Sequence, residues 1–204
     1  MIYEMETLSE REKYRVMTSC IVPRPIAWIT TADENGLANA APFSFFTGVS
    51  IDPPLVIFAA ERRQTKKKDT VRNIEATGQF VINLVTVANV DQMNETSKDY
   101  LPNEDELKKA NLSAVPSKFV SPPSIKESPI RMECVLERII EIGSSPHSLV
   151  IGEVKAVEVQ DGLIQGNRID MKQLEAVGRM GGKWYVKTDH LFELDRLDWR
   201  KEEV

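Results

Sequence analysis

The chain has 204 residues, 42% of them hydrophobic and 28% charged, which is enough for one large domain with a sizeable core. A formal net charge of −5 excludes a general nucleic-acid or anionic-membrane surface, because binding many phosphates requires a basic footprint. The two cysteines are far apart and outside any CxxC pattern, no apolar run approaches the roughly 20 residues of a membrane helix, and no secretory leader is visible, so we expect a soluble cytoplasmic protein.

The first sixty residues predict one helix and three strands. These elements lie at residues 9–17, 26–31, 37–41 and 55–60. Ser9 and Glu12 have the spacing of a capping box at the start of the helix. The Asn-Gly pair at residues 35–36 predicts a tight hairpin turn, since both residues tolerate positive φ. Pro42 has no N–H group, so it should end the second strand or lie on a sheet edge.

The next part of the chain predicts a helix, a buried strand and then an insertion. The helix covers residues 70–77, with Gly78 as its C-cap, and the strand covers residues 80–85. Residues 86–129 are polar and rich in proline, and this composition cannot form an independent core. We therefore expect an insertion within one domain over residues 1–204. Two weakly helical segments are predicted inside it, at about 87–98 and 104–111.

The C-terminal part predicts two long strands, a short helix and an irregular tail. The strands cover residues 130–142 and 148–159, and the helix covers residues 171–177 with Asp170 as its N-cap. Residues 184–199 are expected to form a strand and then irregular structure. Many short strands joined by hairpin turns are typical of an antiparallel barrel.

A basic run, KKKDTVRN, leads into the second predicted helix at residues 66–73. A helix N-terminus presents free N–H groups and a partial positive charge, so this segment is a candidate anion site. Lys68 would place its ammonium group on a phosphate, Thr70 would donate its hydroxyl, and Asp69 would cap the helix. The other groups expected around the anion are Asn73, Arg62 and Arg63. The alternative is a solvated charge run beside an ordinary helix cap.

Small residues dominate residues 39–44, where the backbone can closely approach a flat polar ring such as a flavin. A flavin site needs main-chain donors at the polar edge of the ring and a hydrophobic wall at its face. Thr30 and Thr31 on the paired strand would bond the ribityl hydroxyls. The candidate ring contacts are Asn39, Ala40, Ala41, Pro42, Phe43, Ser44 and Phe45. The alternative is a hairpin end that packs Phe43, Phe45 and Phe46 into the core.

Trp28 and Arg24 are further candidates for the same site. Trp28 lies in a predicted strand, where a tryptophan is more often a core residue than a cofactor stack. Arg24 lies between two prolines in a stiff extended segment, which would present it rigidly to an anionic or planar partner. A surface salt bridge is the alternative for Arg24.

Together these segments resemble the flavin reductase-like family, most closely its flavoredoxin-like branch. The matching stretches, in order and spacing, are PRPIAW (23–28), NAAPFSFF (39–46), DPPLV (52–56), KDT (68–70), NI (73–74) and TGQFVIN (77–83). A weaker match continues to Gly181, Gly182 and Tyr185, so the resemblance covers the whole domain, with residues 86–129 as its variable part.

The resemblance implies a mainly β fold, the FMN-binding split barrel, with a six-stranded antiparallel Greek-key barrel and flanking helices. It also implies a homodimer with FMN near the dimer interface. By the same resemblance, Lys68, Asp69, Thr70 and Asn73 would surround the FMN phosphate. The implied activity is transfer of a hydride from NADH or NADPH to flavin N5, and then of electrons to free flavin, a metal ion or a protein. Because the flavin performs this chemistry, we expect no catalytic side chain and no resident metal.

Two alternatives to a reductase stay open on the sequence. One is an electron carrier, like flavoredoxin, without direct turnover of a pyridine nucleotide, and the other is an FMN store or sensor. His190 could orient a nicotinamide, but a structural role is the simpler expectation. The glycines at residues 178–182 follow a predicted helix and not a strand, so they do not indicate a dinucleotide-binding loop.

Overall fold

The structure is a computed structural model that describes residues 1–62, 66–101, 104–144 and 146–195. The helices are α1 (Glu10–Cys20), α2 (Asp69–Thr77), α3 (Val90–Glu95), α4 (Glu106–Lys109) and α5 (Met171–Leu174). The strands are β1 (Ala27–Ala32), β2 (Ala38–Phe43), β3 (Phe46–Ile51), β4 (Pro54–Ala60), β5 (Gln79–Leu84), β6 (Ala114–Val115), β7 (Ser124–Ile125), β8 (Ile130–Ile142), β9 (His147–Val159), β10 (Ile164–Gln165), β11 (Arg168–Ile169), β12 (Val177–Arg179) and β13 (Tyr185–Lys187).

Seven strands form one antiparallel sheet in the order β2-β1-β5-β8-β9-β4-β3. The long strands β8 and β9, 13 residues each, pair with each other and join the two halves of the sheet. The predicted mainly β fold with flanking helices is confirmed, but the sheet has seven strands and not six. The additional strand is β3, which the sequence did not predict and which pairs with β4 at the edge of the sheet opposite β2.

Three phenylalanines pack against one another in the main core, one pair tilted at 44° and the other edge-to-face at 69°. The Phe58 ring centroid lies 5.0 Å from that of Phe43 and 5.8 Å from that of Phe80, distances typical of favourable aromatic pairs. Gly152 on β9 faces these rings, and a Cβ atom built there would lie 2.3 Å from Cζ of Phe80. The strand therefore approaches the Phe80 ring closely only because residue 152 has no side chain.

The insertion packs on one side of β1 and forms a second apolar cluster. Leu107 from α4 and Ile125 from β7 join Trp28 in this cluster. The indole N–H of Trp28 donates a hydrogen bond to the Thr96 hydroxyl at 3.0 Å. All six residues of β1 are buried because the main core covers the opposite side, which explains why its sequence is apolar without strict alternation. The two weak helices predicted in the insertion appear as the shorter α3 and α4.

Three predicted helix caps are confirmed, at Ser9, Gly78 and Asp170. The Ser9 hydroxyl accepts a bond from the Glu12 N–H, and the Glu12 carboxylate accepts one from the Ser9 N–H, which is the predicted capping box. Gly78 ends α2 in the left-handed region with a φ of 69°. Asp170 caps α5 by accepting bonds from two N–H groups of its first turn.

Three helices outside the insertion have boundaries that differ from the prediction. α1 ends at Cys20, three residues beyond the predicted end at residue 17. α2 begins at Asp69 with Lys68 as its N-cap, so Asp69 lies in the first turn and pairs with Arg72 instead of capping the helix. α5 ends at Leu174, three residues earlier than predicted. It ends there because Glu175 adopts a left-handed φ of 47°, after which the chain extends into β12.

The strand predicted at the start of the C-terminal tail is confirmed as β13, and the chain is irregular from there to residue 195. The end of that tail, residues 196–199, and the candidate anion contact Arg63 lie outside the described residues. Within the described ranges, no helix combines the length and the apolar character needed to cross a membrane.

Candidate functional site

One cavity of about 700 Å³ brings together the two segments that were predicted to bind a flavin. Its walls come from β2 and the bend after it, the segment that leads into α2, the α3 region, α4, and the β12–β13 hairpin. Cavities of about 300–1,000 Å³ are typical of sites for small organic ligands. The predicted contacts that line it are Asn39, Ala41, Pro42, Phe43, Ser44, Phe45, Lys68, Asp69 and Thr70.

Positive charge is concentrated on the cavity wall at the start of α2. Lys66, Lys67 and Lys68 all line this wall. The ammonium group of Lys67 pairs with the Glu75 carboxylate, and this hydrogen bond raises the pKa of Lys67. The N-terminus of the nine-residue α2 adds its partial positive charge at the same place. Ammonium groups beside a helix N-terminus form a pattern that can hold a phosphate.

The backbone of β2 faces the cavity region with its unpaired edge. The Ala40 N–H points away from β1 and donates to the Glu106 carboxylate at 2.7 Å. Because an antiparallel ladder alternates, the next outward position is Pro42, which has no N–H to leave unpaired. Pro42 therefore lies on an edge strand, as predicted. The next main-chain donors along the wall belong to Ser44 and Phe45, where the chain leaves the ladder.

Glu106, which the sequence analysis did not select, is the centre of a hydrogen-bond network on the cavity wall. Its side chain is 9% exposed, and its oxygens accept bonds from Asn39 Nδ2 at 2.7 and 2.6 Å and from the Ala40 N–H. Asn39 Oδ1 in turn accepts a bond from the Thr70 hydroxyl at 2.9 Å. Burial raises the pKa of Glu106 to about 7, and the Asp69 carboxylate acts in the same direction.

Thr31 and Asn73 lie behind this network and do not line the cavity. The Thr31 hydroxyl is 3.4 Å from Asn39 Oδ1, and Asn73 Nδ2 donates to the Thr31 hydroxyl at 3.0 Å. Thr70 lines the cavity but is 1% exposed, and its hydroxyl proton is directed at Asn39. The predicted donation from the Thr70 hydroxyl to a phosphate is therefore not available in this arrangement, and all three residues support Asn39.

Four other predicted contacts are not at the cavity. Trp28 and Ala40 belong to the apolar cluster under the insertion, so the core alternative holds for Trp28. Thr30 is fully buried and donates to a carbonyl oxygen of the insertion at 2.6 Å. Neither face of β1 is open to a ligand, because the main core covers one and the insertion covers the other. Arg62 pairs with the carboxylate of Glu141.

Arg24 is a buried internal link that does not line the cavity. Its guanidinium group is buried and donates to the Ile21 carbonyl at 2.7 Å, at the end of α1, and to the Met180 carbonyl at 3.0 Å, beside β12. Its Nε donates to the Ser44 hydroxyl at 3.3 Å. Carbonyl oxygens satisfy this cation, so Arg24 holds α1, β12 and the cavity wall together.

The insertion and the C-terminal hairpin supply walls that the sequence analysis did not select. The Tyr100 hydroxyl donates to the Glu95 carboxylate at 2.6 Å, which raises the pKa of Tyr100 to about 12. In the hairpin, the Arg179 guanidinium lies 4.4 Å from the centre of the Tyr185 ring. The weak family match at Tyr185 was the sequence signal for this wall, whereas the variable insertion carried none. Further lining residues include Tyr14 and His147.

His190 is exposed and does not line the cavity. Within the part of the chain that the structure describes, no group of three or more His, Cys, Asp and Glu side chains could hold a metal ion. The two cysteines are free thiols, with Cys20 exposed and Cys134 buried.

Comparisons with known proteins point to one family. Residues 17–171 match the family model described as a flavin reductase like domain. An uncharacterised protein of Halalkalibacterium halodurans is 40% identical over 196 residues, which cover 94% of each chain. Nitrilotriacetate monooxygenase component B from Bacillus cereus superposes with a TM-score of 0.92 at 36% identity, covering 95% of this chain and 98% of that one. The 2-nitrobenzoate 2-nitroreductase of Pseudomonas fluorescens superposes with a TM-score of 0.90 at 31% identity, covering 98% of both chains.

Proposed function

The chain belongs to the flavin reductase-like family, and from this premise we propose that it is an FMN-binding oxidoreductase that uses NADH or NADPH as its electron donor. One observation carries the proposal, namely the single cavity that joins the wall at residues 41–45 to the lysines before α2. The names of the two solved relatives, a monooxygenase component and a nitroreductase, support a redox role.

The residues of the cavity fit the two ends of FMN. Lys66, Lys68 and the N-terminus of α2 match a phosphate in charge and in hydrogen-bonding type. The Ser44 and Phe45 N–H groups suit the polar edge of an isoalloxazine ring, and the Phe45 side chain suits its apolar face. The lysine cluster suits the phosphate of FMN and the pyrophosphate of FAD alike. We propose FMN because the sequence resembles the FMN-binding split-barrel proteins.

A flavin, when bound, supplies the hydride and electron chemistry itself. The work of the chain is to bind and orient it. In this proposal, Lys68 and the start of α2 hold the phosphate, the backbone at residues 44–45 holds the polar edge of the ring, and the β2 wall excludes water from one face. The electrons pass on to free flavin, a metal ion or a protein. We assign no side chain as a catalytic acid or base.

An absorption spectrum of the purified protein tests this proposal. The protein is saturated with FMN, freed of excess ligand by gel filtration, and titrated anaerobically with NADH and then with NADPH. We expect a two-banded flavin spectrum that bleaches with at least one nucleotide. Free FMN with the same nucleotide, and the loaded protein in the same light without nucleotide, are the controls.

The outcomes separate the remaining functions. A retained flavin spectrum that neither nucleotide bleaches contradicts the reductase. Bleaching by a reduced protein donor would then identify an electron carrier, whereas tight FMN without turnover would identify a store or sensor. A protein that retains no flavin after saturation contradicts the flavin site itself.

A further inference from the structure

We propose that Glu106 couples the binding of a proton to the binding of a phosphate-bearing flavin, acting as a positioning residue and not as a catalytic one. The inference rests on the proposed function, because it concerns how that same site holds its ligand. It arises from the location of Glu106, a buried carboxyl group that lines the cavity and accepts a hydrogen bond from Asn39. Asn39 in turn accepts a hydrogen bond from Thr70 in the first turn of α2.

A single side chain separates Glu106 from the wall that would receive the phosphate. Asn39 Nδ2 donates to the Glu106 carboxylate, lying 2.7 and 2.6 Å from its two oxygens, and Asn39 Oδ1 accepts a bond from the Thr70 hydroxyl. Thr70 is the second residue of α2, next to the cavity-lining Lys68 and Asp69. Glu106 thus sets the rotamer of Asn39, and Asn39 in turn sets the hydroxyl of Thr70.

The charges around Glu106 oppose a second negative group. Three ionisable residues act on Glu106 electrostatically. They are Asp69 on α2, Asp105 at the N-cap of α4, and Tyr100 in the segment before α4. The adjoining strand β2 contains no ionisable residue. A phosphate bound beside Lys68 would add negative charge on the side of Asp69. Like charges in a partly buried site favour the protonated carboxyl group, so ligand binding raises the pKa of Glu106.

The direction of the pH effect follows from linkage. The pKa of free Glu106 is raised by burial to about 7, so this group exchanges its proton near neutral pH. If the bound state holds the proton more tightly, Glu106 takes up a proton when the ligand binds, and the affinity for the ligand falls as pH rises above about 7. The second ionisation of a phosphate monoester, near about pH 6, acts in the opposite direction, because a dianion binds the lysines better.

The test is the dissociation constant of FMN, measured by flavin fluorescence between about pH 6.5 and 8.5. It is measured for the wild type, for Glu106→Gln and for the matched control Glu104→Gln. The Glu104 carboxylate binds the Leu101 N–H and Lys109 and does not line the cavity. Relative to Glu106→Gln, the wild-type constant should rise about sixfold over this range, the part of a one-unit shift from a pKa of about 7 that falls between these pH values. Glu104→Gln should follow the wild type.

Parallel pH profiles for the wild type and Glu106→Gln, agreeing within about twofold, would overturn the inference while leaving FMN binding intact. Riboflavin, which has no phosphate, provides a second measurement that needs no variant. The affinity of the wild type for FMN relative to riboflavin should fall above pH 7, and a constant or rising ratio would contradict the role of Glu106. If the wild type bound FMN at no pH, the proposed function would fail first and this inference with it.

Discussion

At the residue scale, Asn39 shows how one polar side chain can serve both the fold and the site. It connects Glu106 of the insertion with Thr70 of α2, and Thr31 on β1 lies behind it. An apolar residue of the same size would leave the buried Glu106 carboxyl group with the Ala40 N–H as its described partner. Because an unsatisfied buried acceptor costs about 1–3 kcal/mol, Asn39 contributes to stability as well as to the cavity wall.

The charge of Lys68 should dominate the affinity for the phosphate. Lys68→Glu replaces a cation on the cavity wall with an anion, and losing one charge-assisted bond costs about 1.5–3 kcal/mol. We expect the dissociation constant of FMN to rise at least about tenfold in a fluorescence titration. Lys126→Glu, with the same charge change at an exposed site away from the cavity, is the control. Equal affinities for the two variants would remove Lys68 from the site.

Glu106 should also make the stability of the ligand-free protein depend on pH. Its pKa is raised from 4.5 to about 7 in the folded state, so the folded protein binds this proton more tightly than the unfolded chain does. The stabilisation is complete below about pH 4.5 and is lost as pH rises to about 7, a change of about 3 kcal/mol.

Urea unfolding of the wild type and of Glu106→Gln at several pH values measures this loss. As pH rises from 4.5 to 7, the unfolding free energy of the wild type should fall by about 3 kcal/mol relative to that of Glu106→Gln. Glu104→Gln is the control. The bond with Lys109 lowers the pKa of Glu104 below 4.5, so the contribution of Glu104 is lost only as pH falls below this range. A pH-independent difference for Glu106→Gln would show that Glu106 titrates normally in the folded protein.

At the scale of elements, close packing of strands limits the side chains that can be used. Gly152 on β9 faces the Phe80 ring so closely that a Cβ atom does not fit between them. Gly152→Ala should therefore force β9 or the ring to shift and should destabilise the protein by about 1–3 kcal/mol in urea unfolding. Gly162→Ala is the matched control, since a Cβ there meets no atom within 4 Å. A neutral Gly152→Ala would mean that Phe80 can repack.

Arg24 shows a different requirement at this scale, namely the connection of elements that do not share a sheet. The end of α1, the segment after β12 and the bend after β2 all meet at its guanidinium group. Five fixed donors allow one side chain to satisfy several carbonyl oxygens, which the single ammonium group of lysine cannot do in the same geometry. The stiff segment between two prolines thus presents Arg24 to the interior of the protein.

At the scale of the whole molecule, the exposed edge of β3 supports the predicted homodimer. Val49 and Ile51 on this edge strand are 52% and 91% exposed, and an apolar edge strand is a common pairing surface. We expect light scattering at micromolar concentration to give twice the mass of one chain. The double variant Val49→Lys with Ile51→Lys should give a single-chain mass, and Ile164→Lys on β10 should not.

Either of two results would contradict this arrangement. A wild type with the mass of one chain would exclude the dimer at that concentration. A double variant that remained dimeric would place the interface on another surface, of which the exposed apolar residues of the N-terminus and the C-terminal tail are the next candidates.

Features that depend on neighbouring residues could be predicted from the sequence alone. The capping box at Ser9, the left-handed cap at Gly78, the edge position of Pro42 and the long strands β8 and β9 were all predicted, because each follows from interactions within a few residues or from a regular pattern. The segments at residues 41–45 and 66–70 were also predicted, and they line one cavity.

Which of those residues come into contact depends on the packing of distant segments, and the sequence did not show it. Thr30, Trp28 and Arg24 were candidate ligand contacts, yet all three are buried. Thr30 and Trp28 are covered because other segments pack on both faces of β1. Glu106 joins Asn39 across 67 positions of sequence, and its own segment carried no signal. The physical reason is that periodicity shows which side chains share a face, whereas the group opposite that face is set by how distant segments pack.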